Sequence, residues 1–427
     1  MLDKQPLQVL LDERSIIVSR WGLDRMEALL EELGHPEHTF ETFHIAGTNG
    51  KGSTAGFAAQ ILAAMGRRTG LYTSPHLSDV RERFHVLGKR IEEDVLQSAA
   101  QRILQCSTAG LATYFEVTTA LAFLYFSEME VEVAVVEAGL GGRLDATNVL
   151  EPIGTAITSI GLDHTKLLGP NLESIAGEKA GILKPKVPVS LGPLEPSARR
   201  VLLNSASALG VPVAELGLDC QTSALVIDQG NTCFCYTSNR WPNGVKLKIP
   251  LLGRHQVTNT ALAVLMLEQS IPNLLSEQIV GGVEAMSLPG RFEILNTDDC
   301  TWVFDIAHNT QAIESLMETL RETDLANPKV AVASILGDKE WTVMLERLAH
   351  DMDAIILTQP LSVPDSRRWD IEEARDYLLR KSNIPVHVIE CLDEALDLGR
   401  ELCGHGTVVI TGSTYTVGDA RTLMQAA

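Results

Sequence analysis

No stretch of the 427-residue sequence is apolar for long enough to span a bilayer, which takes about 20 such residues in a row. The first residues, MLDKQPLQVLLDERS, carry acidic charge early and lack the basic-then-apolar pattern of an export signal. Clustered positive charge is missing as well. With 35 Lys and Arg against 55 Asp and Glu the formal net charge is −20, which argues against a surface built to neutralise a polyanion. The seven cysteines are odd in number and scattered, so they form no disulfide framework. Cys233 and Cys235 make a C-x-C, but no second pair lies near enough to complete a zinc site, and they read as strand residues. Tandem repeats and low-complexity tracts are also absent. The expectation is a cytoplasmic globular protein with no nucleic-acid or membrane partner, in which a local basic pocket for a small anion stays open.

What is present is ordinary globular composition, 45% apolar and 21% charged, in a chain long enough for two or three cores. The segment FHIAG reads as a buried strand running into a glycine loop, and Ala58, Ile61, Leu62 and Met65 then recur at helical spacing. Strand-like TGLYTS, VEVAVVE, GTAITSI and VPVSLG alternate with helical EVTTALAFLYFSEM and LESIAGEKAGIL, which implies a mostly parallel sheet covered on both faces. Residues 223–250 change to short alternating runs such as VKLKIP, the texture of a small antiparallel patch, and a helix is expected over 255–269. SLPGRFE supplies a break at Pro289–Gly290. Beyond it WVFDIA, KVAVASIL, DAIILT, VHVIE and TVVITGS alternate with helices, a second doubly wound unit. The fold class is therefore α/β with two domains, 1–290 and 291–427, and a cleft between them.

The loop HIAGTNGKGSTAG departs from the usual phosphate-loop spelling: Ile45 stands where a glycine is usual, and Gly52 separates Lys51 from Ser53. Its strand-to-helix setting nevertheless suits an anion, because Thr48, Asn49, Gly50 and Lys51 bring backbone N–H groups, a helix dipole and a cation together. Glu137 closes the apolar run VAVVE at a strand's carboxyl end, where an acid can hold Mg²⁺ beside phosphate. Asp163 and His164 end another strand at the same sheet edge, and Asp305, His308 and Ser413 end strands of the second domain. The GLGG at 139–142 does not match a dinucleotide fingerprint, so a nicotinamide cofactor is not expected. By spacing alone Lys179 reads as a solvated lysine on a helix.

In order, GTNGKGS, YTSPHLSDVRERF, EAGLGGRLDATN, LDHTKLLG, EKAGI, GRHQVTN, PGRFE, DIAHN and ITGSTY make the chain resemble the folylpolyglutamate synthase and dihydrofolate synthase family, the folate branch of the Mur-type amide ligases. That family spells its own phosphate loop Gly-Thr-Asn-Gly-Lys. The resemblance implies an N-terminal Mur-ligase-type ATPase domain with a parallel sheet and a C-terminal Rossmann-like domain. It implies ATP held by Thr48, Asn49, Gly50, Lys51, Gly52, Ser53, Asn259, Arg291 and Asp305, and Mg²⁺ held by Ser74, Glu137 and His164, with a monovalent cation as a further candidate. Lys179 matches a lysine that is carbamylated in the family, which reverses the solvated reading; the implied catalytic residues are Lys51, Lys179 and His308. Trp21, Phe115, Glu116, Asp145 and Ala146 are implied at the pterin or folate, and His308 and Ser413 at L-glutamate.

One departure is Ile306, where the family has glycine in Asp-Gly-Ala-His-Asn; the expectation is crowding at the nucleotide and an unfavourable backbone. The implied reaction is ATP-dependent addition of L-glutamate to dihydropteroate or to the glutamate tail of a tetrahydrofolate, through an acyl phosphate, by a monomer. RLDATN resembles the enzymes that do both. A cell-wall Mur ligase and a phosphate-loop ATPase switch are the alternatives.

Overall fold

The computed structural model describes Leu7, residues 22–228 and residues 230–426. An eight-stranded sheet comes first, in the order β4-β3-β2-β5-β1-β6-β7-β8. Its strands are β1 (Glu41–Ala46), β2 (Thr69–Tyr72), β3 (Phe84–Val86), β4 (Lys89–Arg90), β5 (Val133–Glu137), β6 (Gly154–Ile157), β7 (Val189–Leu191) and β8 (Val213–Glu215). From β2 to β8 every pairing is parallel, while the β3–β4 hairpin adds an antiparallel edge. A three-stranded antiparallel sheet, β9 (Cys220–Asp228), β10 (Asn231–Ser238) and β11 (Val245–Ile249), lies where the alternating run was expected. Cys233 and Cys235 are strand residues of β10, and the seven cysteines are free.

The second lobe holds a six-stranded sheet, β12-β13-β17-β14-β15-β16, from β12 (Glu293–Asn296), β13 (Thr301–Phe304), β14 (Lys329–Ala333), β15 (Ala354–Leu357), β16 (Val386–Val388) and β17 (Thr407–Thr411). Only β12 runs antiparallel to its neighbour.

The period of two along these strands explains why helices cover both faces. On β5, Val133 and Val135 join one core cluster with Phe43 and Ile45 of β1, whereas Ala134 and Val136 join the opposite one with Tyr72 and Phe84. In the second lobe Val303, Ala331 and Val409 face one layer, and Trp302, Val330, Val408 and Ile410 the other. The helix Lys51–Ala64 has no polar face, because it is packed between the large sheet and the helices Arg254–Ser270 and Ser276–Glu284. That enclosure holds the turn at its N-terminus in place. Among the described residues no helix is long and apolar enough to cross a membrane.

Ile306 differs from expectation. Its backbone is not left-handed. Its N–H donates to the Gly290 carbonyl at 3.0 Å, and its side chain is buried with Phe304, Val417 and Leu77 beneath the interlobe hinge. The isoleucine is accommodated in the core, and it also lines the cleft between the lobes.

Phe57 sits fully buried in the middle of the enclosed helix. Phe57→Ala is expected to cost about 3–5 kcal/mol of stability, read as a lower urea midpoint for the first lobe.

Candidate active site

Strands β5, β1 and β6 are neighbours, with Ile45 opposite Glu137 and Ala46 opposite Ile157, so three successive carboxyl ends open onto one edge. The glycine loop leaves β1 there and is braced by the segment after β6. Thr48 N–H donates to the Ser159 carbonyl at 2.8 Å, and Asn49 N–H to Ser159 Oγ at 3.0 Å. The hydroxyls of Thr158 and Ser159 both donate to the Asn49 carbonyl, at 2.6 and 3.0 Å. Gly50 then takes φ 86°, and a Cβ on it would stand 2.3 Å from Asn259 Oδ1, so both backbone and space require glycine. It starts the helix with no side-chain cap, which leaves the first-turn N–H groups for a ligand.

Charged groups alternate around this turn. Lys51 Nζ donates to the Thr48 carbonyl at 3.1 Å and lies 3.8 Å from Glu137 Oε1. Glu137 Oε2 accepts the Ser74 N–H at 2.9 Å. Burial pushes the Glu137 carboxyl up, while Lys51, the Ser74 N–H and Arg291 oppose it. Arg291 interacts with both Glu137 and Asp305. Asp305 accepts the N–H groups of Ala307 and Phe292, at 2.9 and 2.8 Å, and burial raises it to about 6 despite Arg291. Lys179 is not solvated: it is 3% exposed and donates to the Gly47 carbonyl at 2.7 Å. Burial, and then the charge of Lys51, lowers its ammonium to about 7.

These residues line a cleft of about 1150 Å³ that both lobes enclose. Thr48, Asn49, Gly50, Gly52, Ser53, Ser74, His164, Asn259 and His308 line it too. Several side-chain bridges cross between the lobes. Lys339 Nζ lies 2.5 Å from Asp163 Oδ1, and the side-chain amides of Asn49 and Asn309 exchange bonds of 2.8 and 3.2 Å. His308 pairs its Nδ1 with the Ile306 carbonyl at 2.9 Å, which leaves Nε2 3.8 Å from Asp163 Oδ2.

Other expected residues lie away from the cleft lining. Ser413 is buried, and its hydroxyl accepts the Thr416 N–H at 3.1 Å, a cap on the last helix. Asp145 is buried and turned onto its own loop. One oxygen accepts Leu140 N–H at 2.8 Å, and the other accepts the N–H and hydroxyl of Thr147 at 3.0 and 2.5 Å. Burial pushes its carboxyl up. Glu116 forms a capping box with Thr113 and an ion pair with Arg25 at 2.8 Å, next to Phe115, whose ring packs over Gly139. Ala146 is buried in the same apolar cluster. Trp21 lies outside the described residues. Sequence reasoning passed over Thr158, Ser159, Asn309 and Lys339. The first two had a signal, small hydroxyls just after a strand; Lys339 sits in a loop with none.

Two family models match: the Mur ligase middle domain over residues 45–267, and the Mur ligase glutamate ligase domain over residues 290–414. The chain is 34% identical to the dihydrofolate synthase/folylpolyglutamate synthase of Bacillus subtilis, over 94% of each protein. Its structure superposes on Mycobacterium tuberculosis folylpolyglutamate synthase complexed with ADP and AMPPCP with a TM-score of 0.88, at 33% identity over 98% of each chain. For E. coli FolC in complex with DHPP and ADP the TM-score is 0.87, at 30% identity over 99% of this chain and 98% of that one.

An amine titrating near 7 rather than at its ordinary 10.5 loses its proton as pH rises through neutrality, and the cost of burying its charge is then relieved. Competitive acetylation followed by mass spectrometry should show Lys179 reactivity rising around pH 7, well below the rise of the exposed lysines. A midpoint shared with them would show that the site does not depress it.

Proposed function

The chain belongs to the Mur ligase family, in its group of folylpolyglutamate and dihydrofolate synthases, and from that premise we propose how its own residues divide the work. The protein is an ATP-dependent ligase that joins L-glutamate to a folate-type acceptor. The acceptor carboxylate attacks the γ-phosphorus and ADP leaves. The amino group of L-glutamate then attacks the acyl phosphate, the C–N bond forms, and inorganic phosphate carries off the electron pair of the broken C–O bond.

In this reading the uncapped helix turn from Thr48 to Ser53 holds the triphosphate, and Lys51 offsets charge as it moves onto the leaving oxygens. Asn259 occupies the space a side chain at position 50 would need, which keeps the turn open to the nucleotide. Arg291 and Asp305 join the nucleotide from the hinge and the second lobe. Ser74 and Glu137 offer oxygen donors beside the phosphate loop, a set suited to Mg²⁺, with His164 alongside. Bound there, Mg²⁺ would neutralise phosphate charge. Lys179, whose ammonium burial and Lys51 lower to about 7, has the depressed amine that taking up CO₂ as a carbamate requires. His308 faces the incoming glutamate; Ser413 supports that wall from behind. On the pterin side Phe115 offers a ring face and the Asp145 loop a rigid wall, with Glu116 and Ala146 beneath them. The protein works as a monomer in the cytoplasm. Addition of glutamate to both dihydropteroate and tetrahydrofolate tails completes the proposal.

The single observation that carries this reading is the run Lys179, Lys51, Glu137, Arg291, Asp305 lining one interlobe cleft at the end of an uncapped helix. The test is phosphate release with ATP and Mg²⁺. It should require both L-glutamate and a pterin or folate acceptor, and Lys51→Ala should lower kcat by at least about 100-fold. Turnover at full rate without glutamate would mark an ATPase switch instead. Mass spectrometry with dihydropteroate and tetrahydrofolate supplied separately should show glutamyl addition to each; addition to one alone would remove the second activity.

A further inference from the structure

The loop after β6 presents one carboxylate, Asp163, that three side chains of the second lobe approach together. Lys339 Nζ lies 2.5 Å from Oδ1. Asn309 donates to Oδ2 at 3.4 Å, and His308 Nε2 stands 3.8 Å from it. Asn309 also exchanges amide bonds with Asn49 of the phosphate loop, so one residue of the second lobe joins the loop to the Asp163 centre. The Asp163 and Lys339 side chains are only 10% and 7% exposed. Burial would raise the Asp163 carboxyl, yet Lys339 holds it well below the usual carboxylate range.

Lys339 lies between β14 and the helix Trp341–Asp351, and among the described residues its ion pair is with Asp163 alone. The pair therefore ties the second lobe to the first rather than holding the second lobe together. A pair screened from water is strong when closed, but if the lobes part each charge regains its hydration. Such a contact has two settled arrangements, joined and dry or parted and wet.

We propose that Lys339 is a positioning residue whose ion pair with Asp163 fastens the second lobe over the phosphate loop, so that glutamate rather than water meets the activated carboxyl group. The proposal rests on the ligase reading above. It assigns the coupling of phosphate release to amide formation to a contact made only when the lobes are together.

The experiment measures inorganic phosphate and glutamylated product in the same reaction, with ADP affinity as the check on the first lobe. In the wild-type protein the two products should form in equal amounts. In Lys339→Ala and Lys339→Gln the phosphate-to-amide ratio should rise at least about threefold and kcat fall about tenfold or more, with ADP affinity within about twofold of wild type. Lys339→Arg, which keeps the charge, should recover most of the coupling. A Lys339→Ala protein that makes one amide per phosphate at the wild-type kcat would overturn the latch. So would a loss of ADP affinity in both the alanine and glutamine variants, which would point to a folding role. Wild-type phosphate release that ignores glutamate would instead defeat the ligase reading, a separate outcome.

Discussion

The site depends on how the cleft holds its charges. Lys179, Lys51 and Arg291 face Glu137, Asp163 and Asp305 around the phosphate loop, and burial works against the charged forms of Lys179, Glu137, Arg291 and Asp305. A buried charge left unpaired costs several kcal/mol, and two features bear on that cost. Lys179 has an amine that sheds its proton near neutrality, and the uncapped helix end leaves N–H groups for an anion. A polyphosphate entering the cleft would meet those N–H groups together with Lys51 and Arg291. A carbamate on Lys179 would reverse the sign of that side chain, turning a cation into an anion that calls for a metal.

This arrangement holds only if the turn bearing Lys51 cannot relax, and two features prevent it. Thr158 and Ser159 clamp the Asn49 carbonyl from one side, and Asn259 fills the space a side chain at position 50 would need from the other. The helix behind the turn is packed all round with apolar contacts, so its axis is fixed by the core. Propensity plays little part: the helix begins at a left-handed glycine with no cap, a poor start that packing overrides.

The sequence made the central strands legible because they are buried on both faces and read as continuous apolar runs. The short β3–β4 hairpin and β12 escaped notice because they are half-exposed edges of two to four residues, too brief for a period to declare itself. The phosphate loop, Glu137 and Asp305 were legible for a related reason: a polar residue ending an apolar run has to sit at a strand's carboxyl edge. Ser413 looks the same in sequence, and Asp145 is implied by the family resemblance alone; their side chains cap a helix and close a loop. Both jobs use the oxygen that a ligand contact would use, and only the direction of the side chain tells them apart. Lys179 and Ile306 moved the other way. A lysine that reads as solvated is buried under the phosphate loop, and an isoleucine expected to need an unfavourable backbone takes an ordinary one, packing below the hinge and lining the cleft.

Contacts across the cleft are the least legible of all, for a physical reason. A residue that serves both lobes obeys neither lobe's periodicity, since it is chosen by where the other lobe comes to rest. Asn49 and Asn309 are 260 positions apart and Asp163 and Lys339 are 176 apart; Asn309 also caps the helix Thr310–Glu322, a local role that gives no hint of its partner in the other lobe. Asn49 and Asp163 stand out in the sequence for their places at the sheet edge, but their pairing with Asn309 and Lys339 shows only when the lobes are seen together. Yet these loop residues decide whether the two lobes act as one device. The first lobe carries the glycine loop, Lys51 and Glu137, and the second brings Asp305 and His308 to the same cleft. Keeping water away from an activated carboxyl group requires the second lobe to be held against it, and that restraint falls to polar pairs whose strength depends on the very dryness they create.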